Sequence, residues 1–264
     1  MQTFDIGRAF SRTFGLMRDG IGTVGVFLLL ATLLGQGIGW GLQWMTVQGL
    51  AENMPADPKL APLAMFASAW YLASLLFSMF AGAFNSAGSI TGYLDLAEQR
   101  DVSLAGCISA GLAKLLPVLG LSILWTLGIM FGFMLLIVPG VLMLVIWSAA
   151  LPALIGEGAG VFGAFQRSRD LTRGSRLLVF VFLLLLCVLI YAPLMVFGGA
   201  LMSGGPEQFA KLSQAGFSPL LIAGSAVYAW AIAMVIGAGL VALYHELIAV
   251  EGAGPSTGLT SVFE

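Results

Sequence analysis

The stretch that decides the fold is LLPVLGLSILWTLGIMFGFMLLIVPGVLMLVIWSAALPALIG, residues 115–156, which holds 42 residues between Lys114 and Glu157 without one Lys, Arg, Asp or Glu. A bilayer core of about 30 Å takes roughly 20 helical residues at about 1.5 Å of rise each. The tract is too long for one helix and long enough for two. Pro139 and Gly140 stand near its middle, and proline followed by glycine breaks a helix and permits a tight turn. The reading is a helical hairpin turned at Pro139 and Gly140, with spans at 115–137 and 140–156.

The same punctuation extends outward. Uncharged tracts of 32 residues separate Asp19 from Glu52, 35 separate Lys59 from Asp95, 30 separate Arg176 from Glu207, and 33 separate Lys211 from His245. Each holds one span, at 22–48, 63–92, 177–202 and 219–244. Six spans result, and their continuity makes them helices rather than the alternating strands of about ten residues that a barrel uses. The expected fold is an all-α polytopic membrane bundle, a single integral domain over 1–264. The apolar run near the N-terminus is too long for a signal peptide and lacks a small-x-small cleavage site, so no cleavage is expected.

Composition agrees. Of 264 residues, 59% are hydrophobic and 9% charged, with mean hydropathy +0.99; soluble domains run at about 45–50% and 25%. That balance excludes a soluble enzyme, a disordered chain and a nucleic-acid binder, which needs a basic face. The net charge of −2 gives no general attraction to acidic partners. Cys107 and Cys187 suggest apolar fillers and no disulfide framework.

Lys and Arg alone set orientation. Arg8, Arg12 and Arg18 precede the first span, Arg100 and Lys114 lie in the second connection, and Arg167, Arg169, Arg173 and Arg176 in the fourth. Lys59 and Lys211 oppose them. The bias of nine to two puts both termini in the cytoplasm.

Three segments introduce the odd spans alike. Ile6, Phe10, Phe14 and Met17 form an i, i+4, i+8, i+11 stripe with Asp5 as N-cap; Leu104, Ile108, Leu112 and Leu115 repeat it with Ser103 as cap; Val161 and Phe165 start a third copy. The even spans end alike too: YLDL at 93–96 matches YHEL at 244–247, and EGAG occurs at 157–160 and 251–254. The expected organisation is three degenerate units, each an amphipathic helix followed by a transmembrane hairpin, at about 4–92, 103–156 and 161–247, with 248–264 a flexible C-terminal tail. The third copy breaks its pattern. Its register places Arg169 and Thr172 where the others are apolar, within RSRDLTRG at 167–174.

Pro139 and Gly140, Trp147 and Ser148, Pro152, Glu157 and Gly158, and RSRDLTRG carry a resemblance, which the opening IGRAF at 6–10 extends. The chain resembles the membrane domain associated with glycerophosphoryl diester phosphodiesterases and related six-span bacterial inner-membrane proteins with no established chemistry. That resemblance implies a bacterial inner-membrane protein of six helices. The phosphodiesterase domain fused to some such proteins needs several histidines and carboxylates; this chain has one histidine, so the activity does not carry over.

The spans contain no ionisable residue away from their ends, which disfavours an ion-coupled transporter. Gln36 and Gln43, seven apart among glycines, and Asn85 with Ser86, Ser89 and Thr91, fit helix packing, or else an intramembrane polar groove. The 237–239 stretch, Gly-Ala-Gly, reads as packing. His245 beside Glu246 reads as an exposed helix terminus, with no second ligand type for a metal. The arginines at 167, 169, 173 and 176 have two readings: topology with general phospholipid contact, or a defined phosphate-headgroup site. Arg169, Arg173 and Arg176 would share a face of a continuous helix, unless Gly174 ends that helix first. The functional expectation is a non-enzymatic inner-membrane protein without cofactor or metal, interacting with anionic phospholipids or a membrane protein partner. The alternative is a permease or lipid-handling transporter.

Overall fold

Asp5 opens the first helix: its carboxylate accepts the backbone N–H of Gly7 at 2.8 Å and of Arg8 at 3.2 Å, supplying acceptors that a helix start lacks. In the computed structural model, which describes residues 4–52, 68–202 and 219–252, every regular element is helical and no strand occurs among the described residues. Helix α1 (Ile6–Gly20) passes through a π-turn (Ile21–Gly25) into α2 (Val26–Glu52). Then come α3 (Ala69–Ala97), α4 (Leu104–Ala113), α5 (Leu115–Leu135), α6 (Ile137–Ile146), α7 (Ala150–Glu157), α8 (Gly160–Leu171), α9 (Arg176–Met202) and α10 (Pro219–Gly252). Six segments are long and apolar enough to cross a membrane: Ile6–Gly49, Ala69–Ala97, Leu115–Leu135, Ile137–Glu157, Arg176–Val196 and Ala223–Gly252. The protein is an all-α, multi-pass membrane protein.

Prolines place the breaks. Pro117, Pro139 and Pro152 each stand third in their helices, where an N–H has no intrahelical acceptor. Missing that N–H, Pro117 and Pro139 leave the carbonyl four residues back without a donor, and the preceding helices end there, at Ala113 and Leu135. The hairpin therefore turns at Leu136, whose backbone is extended, and not at Pro139 and Gly140, which begin α6. Its two arms pack antiparallel. A Cβ on Gly132 would stand 3.0 Å from the Cα of Gly140, so glycine is needed on both sides for the backbones to approach. The second arm, expected to be continuous over 140–156, is broken at 147–149, just before Pro152.

Ser168 of α8 repairs that break. Its hydroxyl donates to the carbonyl of Ile146 at 2.7 Å and accepts the N–H of Ala149 at 3.1 Å. The π-turn is repaired similarly: Trp230 of α10 donates its indole N–H to the carbonyl of Gly25 at 2.8 Å. Neither group could find water within a bilayer.

The three short helices bury a different row from the expected one. Ala9, Thr13, Leu16 and Gly20 are buried in α1, Cys107 and Gly111 in α4, and Ala164, Ser168 and Leu171 in α8. The larger apolar residues flank these rows, and Phe14, Ile108 and Leu112 are exposed. Small side chains let helix backbones come close, and apolar exposure carries little penalty beside lipid. Ser103 caps α4 as expected, accepting the N–H of Gly106 at 3.0 Å.

All three short helices gather at one end of the bundle. Arg8 reaches Glu246 near the end of α10, the Lys114 ammonium donates to the carbonyl of Ile155 at the end of α7, and Tyr244 reaches Glu157. Helix α10 runs on to Gly252, so 248–252 is helix rather than flexible tail; 253–264 lies outside the described residues, as does 63–67 of the second expected span.

Candidate functional site

Helix α8 and the turn after it divide their residues sharply. Ser168, Leu171, Thr172 and Ser175 are buried, and the Thr172 hydroxyl donates to the carbonyl of Ser168 at 2.9 Å. Arg169, Asp170 and Arg173 are exposed. Thr172 is thus an inward-facing structural residue, whereas Arg169 projects outward. Helix α8 ends at Leu171, and Gly174 follows with φ +95°, a left-handed turn that a Cβ would strain. Arg169, Arg173 and Arg176 therefore do not share one continuous helix.

They converge nonetheless. With Gln166 and Asp170 they line a concavity of about 530 Å³ between the end of α8 and the start of α9. Among the described residues, no ion pair joins any of these three arginines to a carboxylate, and the buried Nε of Arg176 has no hydrogen-bond partner. Guanidinium groups grouped in this way suit an anion with several oxygens, because each presents a planar fork of donors.

Arg167 does not join them. Its Nε donates to both carboxylate oxygens of Glu157, at 2.8 and 3.0 Å, and its terminal nitrogens donate to both oxygens of Glu251, at 2.8 Å each. These bonds raise the guanidinium pKa further above its ordinary value, the contact with Glu251 contributing most. Tyr244 adds a bond to Glu157 at 2.8 Å. Arg167 is consequently a strut between α7, α8 and α10, and it leaves the headgroup candidates.

Other cations are also occupied. Arg8 donates to Glu246 at 2.8 and 3.0 Å, with Arg12 at 3.9 Å from the same carboxylate. Arg100 pairs with Asp95 and Glu98. Burial pushes the Lys114 ammonium below its ordinary pKa, with Asp95 acting the other way, and its donation to Ile155 suits a helix C-terminus.

The expectation of an exposed terminus at His245 and Glu246 is wrong. Glu246 is 2% exposed and Tyr244 is buried, and the His245 Nε2 is buried without a partner among the described residues. Helix α10 continues past them, and α1 lies across this face, covering the carboxylate with Arg8.

Gln36 and Gln43 do line one groove, of about 570 Å³ between α2 and α3, with Thr46, Tyr71, Ser74 and Ser78. Asn85 is not among its lining residues, and its Oδ1 is buried without a partner among the described residues. The hydroxyls of Thr46, Ser74 and Ser78 donate to carbonyls of their own helices. Gln36 bonds across to Ser225 of α10 at 3.4–3.5 Å.

The carboxylate partners of Arg167 went unassigned in the sequence, although the signal was present. Glu157 and Glu251 open the two EGAG tetrapeptides, and the recurrence marks two acids placed to grip one cation. No family model, curated protein or solved structure matches the chain.

Proposed function

We propose that the protein is a non-enzymatic, multi-pass protein of a bacterial inner membrane that holds the phosphate-bearing headgroups of anionic phospholipids at Arg169, Arg173 and Arg176. One observation carries this reading: these three guanidinium groups surround one concavity without carboxylate partners among the described residues, while Arg8, Arg100 and Arg167 are neutralised within the fold. Asp170 on the rim subtracts one charge and leaves an excess of two. Each cation near an anionic surface contributes about 1 kcal/mol, and a bidentate phosphate contact adds geometric selectivity. The cytoplasmic placement of this end rests on the nine-to-two distribution of Lys and Arg, and the bacterial inner membrane on the resemblance at 139–174.

The permease alternative draws less support, because the hydroxyls of Thr46, Ser74 and Ser78 in the Gln36 and Gln43 groove already donate within their own helices.

The test is native mass spectrometry of the full chain with mixed lipids at low ionic strength. Arg169→Gln with Arg173→Gln should lower retention of anionic over zwitterionic phospholipid. The preference of the unaltered chain should fade with salt, since the Debye length shrinks from about 10 Å at 0.1 M to about 3 Å at 1 M. Unchanged anionic retention in the double variant would overturn the reading and leave these arginines only a topological role.

A further inference from the structure

Below the arginines lies a second space that no charge pattern reveals. A half-open, mainly apolar cavity of about 560 Å³ is enclosed by α3, α5, α6, α7, α9 and α10, with Trp125 and Trp147 among its walls. Helix α9 contributes Phe180, Leu183, Leu184 and Cys187 to it. From Arg176 these are i+4, i+7, i+8 and i+11, so they continue down the face of α9 that Arg176 begins. At about 1.5 Å per residue, the wall runs from roughly 6 Å to roughly 16 Å below Arg176. The cavity thus starts under the headgroup concavity and follows one helix toward the middle of the bilayer.

We infer that the two spaces form one site for a single anionic phospholipid, its phosphate held by Arg169, Arg173 and Arg176 and one of its acyl chains lodged in the cavity beside Trp125 and Cys187. This rests on the headgroup reading above and specifies its ligand as a two-part amphiphile. The lining is mainly apolar, with hydroxyls from Ser86, Ser122, Thr126 and Ser148, and the bilayer core around it holds hydrocarbon and no water, so its natural filler is a hydrocarbon chain. The bilayer offers any lipid chain equally, because hydrocarbon gains little by leaving hydrocarbon. What selects the occupant is tethering: a headgroup held at Arg176 raises the effective concentration of its own chain at the mouth below. Charge complementarity above and shape below therefore favour the same molecule.

The experiment uses the full chain in vesicles of zwitterionic phospholipid containing a small fraction of anionic phospholipid with a photoactivatable diazirine midway along one chain. A parallel preparation carries the same chain on a zwitterionic headgroup. After illumination, adducts are mapped by peptide mass spectrometry. The anionic probe should concentrate adducts on 121–126 and 180–187, and Arg169→Gln with Arg173→Gln should reduce them to the zwitterionic level. Cys187→Phe, which fills the cavity with an apolar ring, should abolish those adducts. Equal maps for the two probes, or adducts spread evenly around the bundle, overturn the inference. If anionic retention still depends on Arg169 and Arg173 in that case, the headgroup reading survives alone; if it does not, both fall. Added inorganic phosphate that displaces the anionic probe at concentrations below those of competing lipid identifies a free-phosphate site and also overturns it. The map on the unaltered chain decides the matter even where Cys187→Phe fails to fold.

Discussion

Glu157 and Glu251 meet on one guanidinium: 94 positions apart in the chain, each gives both carboxylate oxygens to Arg167, at 2.8–3.0 Å. The arrangement joins the end of the second hairpin to the end of the third through a helix that belongs to neither. It also separates an arginine that holds the fold from three neighbours that are free to hold something else.

Arg167→Gln should lower stability by about 1–2 kcal/mol, the worth of charge-assisted hydrogen bonds after discounting for partial solvent exposure. It leaves two acids facing each other, so the deficit should shrink as the solution is acidified. Thermal unfolding midpoints in detergent at several pH values check this. A deficit that grows on acidification contradicts it.

Ser168→Ala should cost about 1–3 kcal/mol, because it strips both the Ile146 carbonyl and the Ala149 N–H of their partner inside a membrane span. The loss should appear as a lowered midpoint and as faster amide exchange at 147–149. Arg169→Ala, the next residue, about 100° around the helix and exposed, should leave both unchanged.

Removing Arg8 should hurt more than neutralising its partner. Arg8→Ala leaves the Glu246 carboxylate, 2% exposed, with Arg12 at 3.9 Å as its one cation among the described residues, a loss of about 2–4 kcal/mol. Glu246→Gln keeps the shape and removes the buried charge, at about 1 kcal/mol. The order of the two midpoints is the measurement, and the reverse order counts against the pairing.

Gly132→Leu should open the hairpin, since any side chain there meets the backbone of Gly140. Overpacking of this sort costs about 1–3 kcal/mol. Cysteine pairs across α5 and α6 should lose crosslinking efficiency in that variant.

Orientation is checked by accessibility. In a background lacking Cys107 and Cys187, cysteines at Gly49 and Ser213 should react with an impermeant reagent from outside the cell, and one at Gly160 should not. The opposite pattern reverses the assignment of the charged end.

Charge spacing and length made the six spans legible, because neither depends on knowing which residues touch. The breaks were less so, although the information was local. The sequence places a turn at Pro139 and no break at Pro152, whereas proline acts on the carbonyl four residues earlier, which puts one end at Leu135 and a break just before Ala149. The faces of the short helices were read by the rule for soluble proteins, with large apolar residues inward. In lipid, small residues such as Ala9, Gly111 and Ala164 win that place because they allow contact. The arginine site was half legible. Composition could flag RSRDLTRG as polar, but only folding shows that Arg167 is claimed by Glu157 and Glu251, which lie 10 residues before it and 84 after.

Helix α1 rests on partners made long after it. Arg8 finds Glu246, and Phe10 packs on Phe182 with ring centroids 4.9 Å apart. During synthesis the first helix therefore emerges before the carboxylate that Arg8 and Arg12 face in the finished fold, at the stage when Lys and Arg flanking a span bias its orientation. Glu246 arrives only when the last hairpin has been inserted. The same two cations serve first as an address and afterwards as a clasp, and a chain halted before α10 would keep the address while lacking the clasp.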